Sequence, residues 1–102
     1  MPRIRQQAEK YKEADRAKAE ENFRLEIKRK GFENDLETDA KIARALKSNA
    51  KTVGNHRRAP ETMKLGDIRD LVELLKPDIK TVLLFIGYSE KDIRGFVREN
   101  AN

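Results

Sequence analysis

Between Ala40 and Pro60 the chain places Lys41, Arg44, Lys47, Lys51, Arg57 and Arg58 and no acidic residue. Ammonium and guanidinium groups without neighbouring carboxylates neutralise phosphate. The amides of Asn49 and Asn55 and the hydroxyl of Thr52 can exchange hydrogen bonds with phosphates or base edges. The chain as a whole carries 23 Lys and Arg against 18 Asp and Glu, a formal charge of +5; with the six of this window set aside, 17 basic residues stand against 18 acidic ones. The positive excess is thus a footprint on one stretch rather than a diffuse bias, and it points to an anionic partner.

Other chemistries find little support. There is no cysteine, which removes disulfides, thiolate catalysis and cysteine-based zinc sites and fits a reducing compartment. His56 is the one histidine, and with neither a Cys nor a second His to join it, it reads as a packed or surface residue rather than a metal ligand or general base. Asp67, Asp70 and Glu73 recur at the spacing that the wet face of a helix requires, with no nucleophile or base to pair with. No glycine-rich phosphate loop and no Ser-His-Asp set is present. These features describe a non-enzyme that needs no cofactor and no metal.

With 102 residues, 37% of them hydrophobic and 40% charged, the chain is expected to form one domain with a modest core and a solvated extension. Residues 1–22 are nearly all Glu, Lys, Arg, Gln and Ala, a charged N-terminal extension, helical or disordered, with only Ile4, Ala8 and Tyr11 suggesting a stripe. The domain proper is expected over residues 23–100. The longest apolar run, Val82 to Ile86, is too short to span a bilayer, and Met1 to Arg5 lead into charged helix formers, so a cytoplasmic protein without a membrane anchor is expected. The basic window lacks the continuous apolar face that insertion into an acidic bilayer surface would need.

The elements that position the basic residues are helical. Phe23, Leu25 and Ile27 predict a helix from Asn22 to Lys30, closed by Gly31 in a left-handed cap. Thr38 caps a helix from Asp39 to Leu46, in which Ile42, Ala43 and Leu46 share a face. Asn49 caps the next, from Ala50 to about Arg57. After a loop through Ala59, Pro60 and Glu61, the residues Leu65, Ile68, Leu71, Val72 and Leu75 draw the clearest apolar stripe of the chain, ended by Pro77. Asp78 to Phe85 reads as a helix ending near Gly87, although Thr81 to Ile86 would suit a strand by composition. Ser89 and Asp92 form a capping-box pattern opening a last helix with Ile93, Phe96 and Val97 inward. Tyr11, Phe85, Tyr88 and Phe96 lie outside the basic window, so they read as core or dimer contacts rather than as stacking platforms for single strands. The expected fold is an all-α, compact bundle of about five short helices.

The stretch from Thr38 to Arg58, TDAKIARALKSNAKTVGNHRR, followed by LGDIRDLVELL from Leu65 to Leu75, resembles the helix-turn-helix of phage lambda repressor and Cro-like proteins over roughly half of the chain. Ala43 falls where that family needs a small residue between its two helices, and Val53 where it buries a branched one. Lys47 stands where the turn often has glycine, Ser48 and His56 where the family tends to bury apolar residues, and Asp39 where a phosphate-contacting glutamine is frequent; an acid there repels phosphate.

The resemblance implies a sequence-specific, double-stranded DNA-binding transcriptional regulator, nucleoid-associated, with the helix from Ala50 in a major groove. Lys51 would reach guanine or phosphate, Asn55 adenine, and Ala50 would offer a small apolar contact. Asn49, Arg57 and Arg58 would touch the backbone, and Lys41, Arg44, Lys47 and Thr52 would complete the contact set. With Val53 inward, Gly54 is expected beside Asn55 on the outward or flanking surface, where it either permits close approach to DNA or simply weakens the helix. A module this small reads few base pairs, so a homodimer on a palindrome is expected, joined through Ile79 to Val97. The competing reading, favoured by the departures at Asp39, Ser48 and His56, is a protein-interaction adaptor or inhibitor on the same scaffold, engaging a protein through the charged N-terminal helix or the C-terminal hydrophobic segment.

Overall fold

A computed structural model describes the backbone of residues 2–100 and the side chains of residues 13–96, 98 and 99. Over that range the chain is all-α, with six α-helices, one 3-10 turn and no strand among the described residues. One of the six is not short. The charged N-terminal stretch and the expected helix around Phe23 form a single α1, Pro2–Glu33, which runs through residue 22 without interruption. Side chains 13–18 are exposed, as their composition requires, whereas Phe23 and Ile27 are fully buried one turn apart. Ile4, Ala8 and Tyr11 lie outside the described side chains.

Gly31 does not end α1 in a left-handed cap. It is buried inside the helix, which continues to Glu33, and the left-handed residue is Asp35 at φ 58°. The glycine is needed for close approach. The returning chain passes over it, Leu36 N–H donating to the Gly31 carbonyl at 2.7 Å, and a Cβ there would lie 2.8 Å from the Leu36 carbonyl oxygen. Backbone on backbone leaves no side chain to swing aside, so the site excludes every larger residue.

The next elements match their sequence signals closely. α2 (Asp39–Leu46) starts at Thr38, whose hydroxyl accepts from Lys41 N–H at 3.2 Å, and α3 (Ala50–Arg58) starts at Asn49, whose Oδ1 accepts from Thr52 N–H at 2.8 Å. A 3-10 turn, Pro60–Thr62, leads to α4 (Leu65–Leu75), where Asp67 Oδ2 accepts from Lys64 N–H at 3.1 Å. Residues 79–86 are helical rather than extended. α5 (Ile79–Ile86) is opened by Asp78, whose carboxylate accepts from the N–H and hydroxyl of Thr81, both at 3.1 Å. α6 (Glu90–Asn100) opens on the expected capping box, with Asp92 N–H donating to Ser89 Oγ at 3.1 Å and Ser89 N–H to Asp92 Oδ2 at 3.2 Å.

One core joins these pieces. Phe23 and Ile27 from α1, Ile42 and Ala43 from α2, Val53 from α3, and Met63, Leu71 and Leu75 from the α4 region form a single buried cluster. Phe85 of α5 stacks on Phe23 with ring centroids 4.0 Å apart. Each fully buried large side chain contributes about 1.5–3 kcal/mol by leaving water, so Phe23, Ile27, Ile42 and Leu75 are the main supports of the fold. Two expected core positions are not in it: Leu65, in the first turn of α4, and Phe96 of α6 are both mostly exposed. Leu65 precedes the part of α4 that faces the cluster, and of the last helix's expected inward residues Ile93 is buried while the Val97 side chain lies outside the described ones.

Candidate nucleic-acid interface

The turn between α2 and α3 decides how far α3 stands out from the body. Lys47 takes the left-handed conformation, φ 55°, that a glycine would occupy without strain, and Ser48 N–H closes the turn on the Ala43 carbonyl at 2.8 Å. Ala43 is buried in the core cluster with Val53 of α3. Ser48 is exposed and His56 half-buried, so the two positions at which apolar residues would be expected contribute little to the core. His56 instead faces α4, its Nε2 4.0 Å from Asp67 Oδ2.

Gly54 is not on the outward surface. It is buried against the start of α2, and a Cβ there would lie 2.8 Å from Asp39 Oδ2. The absence of a side chain therefore serves the approach of α3 to Asp39. The other oxygen of that carboxylate, Oδ1, accepts from Arg57 Nη1 at 2.7 Å, and the same guanidinium nitrogen lies 3.5 Å from the Glu37 carbonyl. Asp39, an acid expected to repel phosphate, is thereby the internal counter-ion of Arg57. Arg57 is turned toward α2 and is only about one-fifth exposed.

The remaining basic residues divide into two groups. Lys41 lies against Glu37 at 2.5 Å. That hydrogen bond holds the Glu37 carboxyl below the usual carboxylate range and the Lys41 ammonium above its ordinary value. Arg44, Lys47, Lys51 and Arg58 are exposed, and among the described residues no carboxylate lies within ion-pair distance of them. On α3, Lys51, Asn55 and Arg58 follow at intervals of four and three and share the outward face, with Ala50 exposed at its start and Thr52 half-buried to one side. Arg58 Nη2 donates to Asn55 Oδ1 at 2.9 Å, and the amide nitrogen of the exposed Asn55 has no hydrogen-bond partner among the described residues. Asn49 is exposed, but its side-chain oxygen is already used as the cap of α3.

One contributor gave no signal in the sequence. Arg24, on α1, donates from Nη1 to the Arg58 carbonyl at 3.2 Å, a cation placed at the C-terminal end of α3 where the helix dipole favours it. It also pairs with Glu21 on its own helix. A contact across 34 residues cannot be read from local spacing.

A cleft of about 110 Å³ opens between α2, α3 and α4, lined by Leu46, Val53, His56, Met63, Asp67 and Leu71 among others. That is room for three or four waters at about 30 Å³ each, well short of the roughly 300 Å³ at which small-molecule pockets begin. Among the described residues no cluster of three or more His, Cys, Asp or Glu side chains is placed to hold a metal ion, and no helix is long and apolar enough to cross a membrane. Comparison with protein-family models, with curated proteins and with solved structures returned no match.

Proposed function

We propose that this chain is a double-stranded DNA-binding transcriptional regulator whose α2–α3 unit is a helix-turn-helix of the lambda repressor and Cro type, with α3 entering the major groove. One observation carries the reading: Lys51 and Arg58 on the outward face of α3, Lys47 in the turn before it and Arg44 near the end of α2 are exposed without a carboxylate partner among the described residues, while the nearby acids Glu37 and Asp39 are each held by a cation of their own. A cylinder of helix width with cations on its exposed side matches the groove in shape and charge. Lys51 reaches a guanine edge or a phosphate, and the free amide hydrogens of Asn55 suit an adenine N7. Arg57 drops from the contact set and acts on orientation, tying α3 to α2 through Asp39.

Titration of a labelled duplex of mixed sequence against the protein and against Lys51→Glu/Arg58→Glu tests this directly. Wild-type binding that weakens steeply with salt and is lost in the double variant, at unchanged helical content, is the expected result. Equal binding by the two proteins would transfer the function to the adaptor reading, in which the ends of the chain engage a protein.

A further inference from the structure

From Glu21 to the end of α1 every acid is held by a cation of the same helix. Glu21 pairs with Arg24, the buried Glu26 with Arg29, and Glu33 with Arg29 and Lys30. Lys18 and Lys28 are left over: both are exposed, and among the described residues no carboxylate lies within ion-pair distance of either. Beside them stands an apolar pair that the core does not use, Leu25 at 53% and Phe32 at 65% exposure. Leu25 is two residues from both Phe23 and Ile27, which are fully buried, and a step of two residues turns a side chain through about 200° on an α-helix. Leu25 therefore points away from the core, and Phe32, seven residues on, points the same way about 10 Å farther along the axis. Lys28 and Arg29 fall between the two, three and four residues from each, and Lys18 falls one heptad before Leu25.

We infer that this outer face of α1, centred beyond the charged extension, receives an acidic amphipathic helix of another protein. Apolar side chains of the partner would seat at Leu25 and Phe32, and its carboxylates would face Lys18, Lys28 and Arg29. Charge and area decide among the occupants. A second copy of the same face would set lysine against lysine, and Leu25 and Phe32 offer on the order of 200 Å² of apolar surface against about 800 Å² per partner in a standard interface. A nucleic acid would meet the cations and leave Leu25 and Phe32 wet. An acidic bilayer needs a broad apolar face, whereas this one is a single side chain wide and carries Asn22 three residues before Leu25. An acidic helix with apolar residues at the same heptad spacing answers both features at once. The small apolar area makes such a complex short-lived and salt-sensitive, because a charged rim steers encounter more than it holds a partner.

The inference is independent of DNA binding, since Lys51, Asn55 and Arg58 do not belong to this face. Its test is fluorescence anisotropy with two labelled helical peptides of about three heptads, both with leucine at the positions that meet Leu25 and Phe32, one flanked by glutamate and the other by lysine. The full chain is titrated as wild type, as Leu25→Asp/Phe32→Asp and as Lys51→Glu/Arg58→Glu. Expected is binding of the acidic peptide to wild type about tenfold or more tighter than that of the lysine peptide, a loss of about tenfold or more in Leu25→Asp/Phe32→Asp, and no change in Lys51→Glu/Arg58→Glu, all at unchanged circular dichroism. No binding by wild type, equal binding of the two peptides, or binding that survives Leu25→Asp/Phe32→Asp and falls in Lys51→Glu/Arg58→Glu overturns the inference. Vesicles of acidic lipid form a second arm: tighter binding to them than to the acidic peptide, lost in Leu25→Asp/Phe32→Asp, overturns it in favour of a membrane. Should Leu25→Asp/Phe32→Asp lose its fold, Lys18→Glu/Lys28→Glu replaces it. That variant is expected to shift the preference toward the lysine peptide, and an unchanged preference counts against the face.

Discussion

Between Lys41 and Arg58 the surface shows five exposed basic side chains, and no exposed large hydrophobic one is found there; on the outer face of α1, Leu25 and Phe32 stand among Lys18, Lys28 and Arg29. Both regions rest on the same core, α2 and α3 through Ile42 and Val53, α1 through Phe23 and Ile27. What differs is how each is fixed. The α2–α3 unit spends its polar groups on itself, through the Thr38 and Asn49 caps and the Asp39–Arg57 pair, and leaves selected cations to solvent. From Glu21 on, α1 pairs its acids along its own length and leaves cations and apolar surface to solvent together. A purely basic face and a mixed one on separate helices are what a protein needs if it meets an anion with one and a protein surface with the other.

That division can be broken at either end. The largest effect belongs to Lys51→Glu/Arg58→Glu, which should lower affinity for duplex DNA by about 100-fold or more, near 3 kcal/mol, while binding of the acidic peptide is unchanged. The wild-type salt dependence sharpens the same point. Four unpaired cations per module predict a slope of log K against log salt of about −3.6, and Lys51→Ala should reduce its magnitude by about one. Next is Leu25→Asp/Phe32→Asp, expected to weaken binding of the acidic peptide about tenfold or more yet to leave duplex binding nearly unaltered. If both properties fall together in either variant, the two faces are not separate.

Smaller effects probe the supports. Lys47→Gly should raise stability by about 0.5–1 kcal/mol by relieving the left-handed backbone, measurable as a higher urea midpoint, while weakening DNA binding through the lost charge. The smallest effect is a pH dependence at α6. The hydrogen bond from Ser89, together with that residue's backbone N–H, holds the Asp92 carboxyl below its ordinary value. A group whose pKa is depressed on folding stabilises the fold fully above its unfolded pKa and loses that contribution as pH falls through the folded one. Protection of the amides in the first turn of α6, measured against their unfolded exchange rate at the same pH, should therefore fall in acid, and Asp92→Asn should remove most of the change.

The sequence made the caps legible because each is a local event. Thr38, Asn49 and the Ser89 and Asp92 box act within three residues of themselves, and helix starts followed from them; the cap that Asp78 gives α5 is as local but was read as the first residue of its helix. Gly31 and Gly54 were misleading, since a glycine states only that something comes close and not what: at Gly31 it is the Leu36 carbonyl, at Gly54 the Asp39 carboxylate. Glu26 reads as one more charge in a charged helix, and its burial depends on Asp78, 52 residues away. Within the candidate site, the charges were legible from composition. Which of them are spent internally was not, because the pairing of Arg57 with Asp39 needs the α2–α3 turn to bring the two together.

The central claim is sequence-specific binding by α3, and selection from a randomised duplex library at two salt concentrations addresses it most directly. The account predicts enrichment of a short palindrome that persists at the higher salt, its half-sites about one helical turn apart if two copies bind as a homodimer. Binding that vanishes with salt and enriches no sequence would contradict it, leaving the basic face as a general electrostatic surface.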